Sequence, residues 1–95
     1  MKMIFVDSDV IIAYNVIEDE QHQKAIKVFE RISAGNYGDM VISEYNIIEV
    51  ATVIGLKENY TKSVEVCEIL MDAKEVKIVK GDLIFGDSWK ELKLN

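Results

Sequence analysis

The chain has 95 residues, of which 49% are hydrophobic and 29% charged, as is ordinary for one globular domain with one core. The formal net charge of −6 argues against a protein that coats nucleic acid through bulk positive charge. The single cysteine, Cys67, excludes an intramolecular disulfide and favours a cytoplasmic protein. No apolar stretch is long enough to span a membrane, and the N-terminal run is too short for a signal peptide.

The first half of the chain predicts one strand and two helices. Residues 3–6 are apolar, which is typical of a short strand buried on both faces, and Asp7 follows directly. Ser8 or Asp9 is expected to cap a helix over residues 10–16. A second helix is predicted to start at Asp19 or Gln21 and to end near Ser33. Its apolar face consists of Ala25, Val28, Phe29 and Ile32.

The second half predicts two strands and three helices. Residues 40–42 form a second buried strand, and Ser43 caps a largely apolar, central helix. A fourth helix runs from Tyr60 to about Ala73, with Val64, Cys67, Leu70 and Met71 on one side. Residues 76–79 form a third strand. A last helix follows, capped by Asp82, with its apolar face at Phe85, Trp89 and Leu92.

The order strand, two helices, strand, two helices, strand, helix predicts the α/β class. Parallel strands joined by right-handed crossovers are expected. The predicted architecture has three layers, with a parallel sheet, helices on both faces, about three strands and five helices. Residues 1–95 form a single domain with no internal repeat or linker.

Two acids stand out from apolar surroundings. Asp7 lies at the carboxyl end of the first strand, where open parallel sheets bind ligands. Glu49 lies between Ile48 and Val50 in the apolar helix that follows the second strand. Both acids belong to segments that begin at strand carboxyl ends, so they could converge on one edge of the sheet. Carboxylates placed in this way could hold Mg²⁺ or Mn²⁺ and activate water for phosphodiester cleavage.

Simpler interpretations remain open for each acid. Asp9 forms an Asp-x-Asp pair with Asp7, but acids at strand ends are often helix caps. Glu49 could be exposed at the edge of its helix or paired with a lysine. His22, the only histidine, fits a surface or capping residue better than a catalyst. The four tyrosines are scattered, so no platform for stacking bases is predicted.

Residues 5–13, Phe-Val-Asp-Ser-Asp-Val-Ile-Ile-Ala, resemble the first motif of PIN domains. Residues 41–50 resemble the second motif, with Glu49 at its acidic position, and the spacing Asp19-x-x-His22-x-x-Ala25 is similar to the start of the second helix in that family. The resemblance implies an endoribonuclease of the toxin–antitoxin type that depends on Mg²⁺ or Mn²⁺. Asp7 and Glu49 would be catalytic metal ligands, with Asp9 or Ser8 supporting the site. RNA and an antitoxin protein would be the partners.

The chain departs from the family pattern at its C-terminal end. PIN domains carry a third and usually a fourth acid in a C-terminal segment, and no such segment follows the last predicted helix. Asp82 and Asp87 do not match those positions and are interpreted as cap and surface residues. We therefore expect a truncated, impaired nuclease. The missing strands would leave strand one as an exposed apolar edge, through which the chain would form homo-oligomers.

Two other functions are consistent with the sequence. A non-catalytic PIN-like module that binds a protein partner would explain the absence of the C-terminal acids. A haloacid-dehalogenase-type phosphatase also opens with an Asp-x-Asp pair, in which the first Asp is the nucleophile and the second a general acid. This chain is too short to place the lysine and the further acids that such a phosphatase needs, and Glu49 would have no role.

Overall fold

The computed structural model describes residues 2–80, which form three strands and four helices. In chain order these are β1 (Met3–Phe5), α1 (Ser8–Asn15), α2 (His22–Ser33), β2 (Asp39–Ser43), α3 (Glu44–Lys57), α4 (Tyr60–Asp72) and β3 (Val76–Val79). The predicted α/β class is confirmed, and the third strand has the predicted bounds. The predicted last helix and the assignments of Asp82 and Asp87 lie outside the described residues.

The three strands form one parallel sheet in the order β1-β2-β3. Ile4 pairs with Met40 and Phe5 with Val41, while Ile42 pairs with Ile78 on the other side of β2. Because sequential parallel strands need crossover connections, α1 and α2 join β1 to β2, and α3 and α4 join β2 to β3. All three strands therefore present their carboxyl ends at the same edge of the sheet.

The core lies between the sheet and the four helices. Met40 and Ile42 of β2 pack there with Val50 and Ile54 of α3, and the side chains of Ile42, Val50 and Ile54 are fully buried. The predicted face of α2 is confirmed, since Ala25 and Ile32 are buried and Val28 and Phe29 are partly buried. This packing fixes α3, which carries Glu49, against the middle strand.

Strand β1 differs from its prediction, because it is not buried on both faces. Ile4 packs against the core, but Met3 is 53% exposed and Phe5 is 61% exposed. Alternation explains the difference, since neighbouring side chains of a strand point to opposite faces. In the described part of the chain β1 pairs only with β2, so it forms an edge of the sheet.

The caps of the helices agree only in part with the sequence. Ser43 caps α3 as predicted, and it forms a capping box with Asn46. The predicted cap of α1 was wrong, because α1 begins at Ser8 and Asp7 is at the N-cap without a side-chain capping hydrogen bond. In α4 the buried residues are Ser63, Val66 and Leu70, whereas Met71 is exposed and Cys67 is half-buried.

A tight turn before β2 lies against Lys2, the residue before β1. Gly38 has φ +77°, and a Cβ at this position would lie 2.1 Å from the Lys2 carbonyl oxygen. The Asp39 amide then donates a hydrogen bond to the same oxygen, at 3.2 Å. Only glycine fits both the left-handed backbone and this close approach. Within residues 2–80, no helix is long and apolar enough to cross a membrane.

Candidate functional site

The candidate site lies at the carboxyl edge of the sheet, where two different crossovers begin. Asp7 is the N-cap residue of α1, two positions after the last residue of β1. Glu49 lies in the second turn of α3, which begins directly after β2. Packing of α1 against α3 brings these two segments together. The sequence analysis expected Asp7 and Glu49 to converge on one edge of the sheet. The contact between α1 and α3 explains how they can do so.

Ser8 connects the two acids. Its hydroxyl donates a hydrogen bond to the Glu49 carboxylate Oε1, and it lies 3.2 Å from Asp7 Oδ1. Ser8 itself is buried, with 1% of its surface exposed, while Asp7 and Glu49 are exposed. Asp7 Oδ1 and Glu49 Oε1 each lie one hydrogen-bond length from the Ser8 hydroxyl oxygen. These two carboxylate oxygens therefore lie within about 6 Å of each other.

Glu49 is exposed to solvent, although its neighbours in the sequence are apolar. Val50 faces the core and is fully buried, but Ile48 is 62% exposed and Glu49 is exposed as well. Glu49 therefore occupies the edge of α3, one of the two simpler interpretations. It is paired with a serine, and within residues 2–80 the one ion pair joins Lys62 to Glu58, at 3.4 Å.

Asp9 is the third acid named from the sequence. It lies in the first turn of α1, where its negative charge interacts favourably with the N-terminus of the helix. Its side chain is exposed and makes no hydrogen bond with Asp7, Ser8 or Glu49 in the described structure. Across residues 2–80, no three side chains of Asp, Glu, His or Cys form a group that could hold a metal ion. The assignment of all three acids as metal ligands remains a prediction.

His22 has a structural contact away from the two acids. Its Nδ1 lies 2.7 Å from the Ala13 carbonyl oxygen of α1. A carbonyl oxygen only accepts, so Nδ1 carries the proton and donates. Ala13 belongs to the last turn of α1, whose carbonyl groups have no partner within the helix. The histidine therefore acts as a cap between α2 and α1, as the sequence indicated.

Tyr45 lies on the same helix as Glu49, although the sequence analysis gave it no role in the site. The scattered tyrosines predict no platform for bases, yet Tyr45 lies four residues before Glu49 on the same helix. Residues at this spacing are neighbours on a helix surface. Tyr45 is 55% exposed and lies one helical turn from Glu49. The i, i+4 spacing within α3 was the signal that could have identified it.

Comparisons with known proteins agree with this fold. The sequence matches the family described as PIN domain over residues 4–95. No curated protein matches it. Among solved structures, VapC20 of Mycobacterium tuberculosis, described as a sarcin-ricin loop cleaving toxin, is similar with a TM-score of 0.71 and 16% identity. The alignment covers 96% of this chain and 66% of that chain, so this chain spans just under two thirds of its length.

Proposed function

The chain belongs to the PIN domain family, and from this premise we propose that it carries the metal site of an endoribonuclease. The site consists of Asp7 and Glu49, with Asp9 adding negative charge from the first turn of α1. The observation that carries the proposal is the buried Ser8 hydroxyl, which contacts both carboxylates and so holds them at one place on the sheet edge.

The two carboxylates fit a hard divalent cation. Mg²⁺ keeps several of its waters and is commonly held by one or two carboxylates together with substrate phosphates. Asp7 and Glu49 are both exposed, so a hydrated ion can reach them. Oxygen donors of this kind suit Mg²⁺ and Mn²⁺ better than softer metals. A site with two carboxylates among residues 2–80 would bind the ion weakly, and we expect impaired cleavage unless further acids are supplied.

Each residue of the site has a separate task in this proposal. Asp7 and Glu49 hold the cation, and Ser8 orients both carboxylates through its single hydroxyl. A bound divalent ion supplies a Lewis acid for the phosphodiester and makes water easier to ionise. The negative charge of Asp9 raises the local concentration of cations.

The proposed substrate is RNA, and the proposed setting is a toxin–antitoxin pair in the cytoplasm. The resemblance in fold to VapC20, a sarcin-ricin loop cleaving toxin, supports this setting. An antitoxin protein would then be the physiological partner. We further propose that the edge of β1, which pairs with no other strand than β2 among residues 2–80, pairs with a second copy of the chain, because Met3 and Phe5 are exposed there. Sedimentation should show a dimer, and a monomer at all concentrations would refute this pairing.

A ribonuclease assay tests the proposed activity. The wild-type chain should cleave single-stranded RNA in Mn²⁺, and an excess of EDTA should abolish cleavage. The Asp7→Asn and Glu49→Gln variants should each lose at least about 100-fold in rate, because each removes a ligand of the ion that would supply the Lewis acid. Cleavage that survives in both variants would show that contaminating nuclease or another site is responsible.

A second candidate function is a non-catalytic module that binds a protein partner. A cavity of about 680 Å³ between α2 and α4 favours it. The lining is largely apolar and includes Phe29 and Leu70, with Asp39 and Glu75 among its polar residues. Such a groove suits an amphipathic helix with basic residues at its margins. If the wild-type chain neither binds Mn²⁺ nor cleaves RNA, this function accounts for the protein better.

A further inference from the structure

Tyr45 occupies a defined position relative to the acids of the proposed site. It is the second residue of α3, and Glu49 lies one helical turn further on. Side chains at i and i+4 have Cβ atoms about 5–6 Å apart on a helix surface. The tyrosine is 55% exposed, and Ile48, three residues after it, is 62% exposed. An exposed aromatic and aliphatic surface therefore lies within one helical turn of Glu49 on α3.

The charge of the protein makes contacts with the bases of RNA important. The chain has a formal net charge of −6, and the site itself contains Asp7, Asp9 and Glu49. Such a surface repels the phosphates of RNA. The chain therefore gains little RNA affinity from lysine and arginine contacts with phosphates. Stacking of a base on an aromatic ring contributes affinity without a positive charge, and it tolerates all four bases.

We propose that Tyr45 is a substrate-binding residue that stacks on a base of single-stranded RNA beside the proposed metal site at Asp7 and Glu49. The inference rests on the proposed ribonuclease function and adds the recognition of an unpaired nucleotide to it. One ribose separates a base from its own phosphate. A base that stacks on Tyr45 and a phosphate at the proposed metal site can therefore belong to the same nucleotide.

The first turn of α3 is held in place, which favours this role. The Asn46 amide donates to Ser43 Oγ at 3.0 Å, and the Ser43 amide donates to Asn46 Oδ1 at 2.9 Å. Tyr45 lies between these two residues, so its backbone is fixed before RNA binds. Because this backbone is already ordered, it loses little conformational entropy when RNA binds.

Fluorescence anisotropy in the presence of Mn²⁺ tests the proposal, with a short labelled adenosine RNA whose phosphorothioate linkages resist cleavage. Tyr45→Ala should weaken binding by about 5- to 100-fold, the range expected for loss of one stacked base. Tyr45→Phe keeps the ring and should bind within about twofold of wild type. Tyr60→Ala is a matched control, because Tyr60 is 80% exposed and lies beyond the far end of α3.

Two further measurements separate stacking from a general loss of structure. An RNA of the same length that lacks bases should bind wild type and Tyr45→Ala equally. The ratio between the two proteins on adenosine RNA should not change with salt, because stacking releases no counterions. Equal binding of adenosine RNA by wild type and Tyr45→Ala, or an equal loss in Tyr45→Phe, would overturn the role of Tyr45. A wild-type chain that binds no RNA would instead overturn the proposed function itself.

Discussion

The Ser8 hydroxyl donates a hydrogen bond to the carboxylate of Glu49, a residue 41 positions further along the chain. The same hydroxyl lies 3.2 Å from the Asp7 carboxylate. A serine hydroxyl has one proton, so the two carboxylates share a single donor. Ser8 is buried, whereas Asp7 and Glu49 are exposed. The serine therefore holds both carboxylates from the protein interior and leaves their other oxygens accessible to solvent.

Replacing Ser8 should lower the affinity of the site for Mn²⁺. Ser8→Ala removes the shared donor, and loss of a group that orients metal ligands typically lowers metal affinity 10- to 100-fold, so we expect about a tenfold loss for Mn²⁺. Isothermal titration calorimetry measures this affinity. Ser63→Ala is the matched control, since Ser63 is also buried and its hydroxyl donates to the Ala51 carbonyl at 2.7 Å. Equal losses of metal affinity in both variants would contradict a specific role for Ser8.

Removal of the capping box should destabilise α3. Ser43→Ala deletes the side chain that accepts from the Asn46 amide, and we expect a loss of about 1 kcal/mol in the free energy of unfolding. Urea denaturation followed by circular dichroism gives this value. Asn59→Ala, which removes the cap of α4, should cost a similar amount. An unchanged urea midpoint for Ser43→Ala would show that the box contributes little.

The two glycines before β2 should differ sharply in their tolerance of a side chain. Gly35 has φ +83° and open space where a methyl group would lie, so Gly35→Ala should cost about 1 kcal/mol for the left-handed backbone. Gly38→Ala should cost about 3 kcal/mol or more, because its Cβ would also collide with the Lys2 backbone. Thermal unfolding of both variants measures the difference. Equal melting temperatures would refute the close approach of β1.

Cys67 should react slowly with alkylating reagents in the folded protein. Burial raises the pKa of its thiol above the ordinary value of 9.0, so less thiolate is present than in the unfolded chain. We expect alkylation by iodoacetamide at mildly alkaline pH to be about threefold slower or more without urea than with it. The raised pKa also means that its contribution to stability is complete below pH 9.0 and is lost as pH rises through the folded value. A faster reaction in the native state would contradict this setting.

Local signals in the sequence were sufficient for much of the fold. The segment Val-Lys-Ile-Val at residues 76–79, rich in β-branched residues, coincides with β3, and Ser43 is both the end of β2 and the cap of α3. The two glycines between α2 and β2 are typical of a turn, and both have positive φ. These features depend on neighbouring residues, which are visible in a single sequence.

Features that depend on packing were not predictable in the same way. The exposure of Met3 and Phe5 depends on which face of the sheet the helices cover, and a short apolar run does not specify that face. The contact between Ser8 and Glu49 depends on how α1 packs against α3. The sequence could pair Asp7 with Glu49 as ligands of one site and name Ser8 or Asp9 as a support, but the burial of Ser8 and its contact with both acids required the packed structure.

Mn²⁺ titration by calorimetry tests the central claim most directly. The wild-type chain should bind Mn²⁺ at one site, weakly because Asp7 and Glu49 are the two carboxylates held together there. Asp7→Asn and Glu49→Gln should each abolish the heat of binding, while Asp72→Asn, a change at an exposed acid of α4, should leave it intact. Binding that persists in both site variants, or no binding by the wild-type chain at millimolar Mn²⁺, would contradict the metal site.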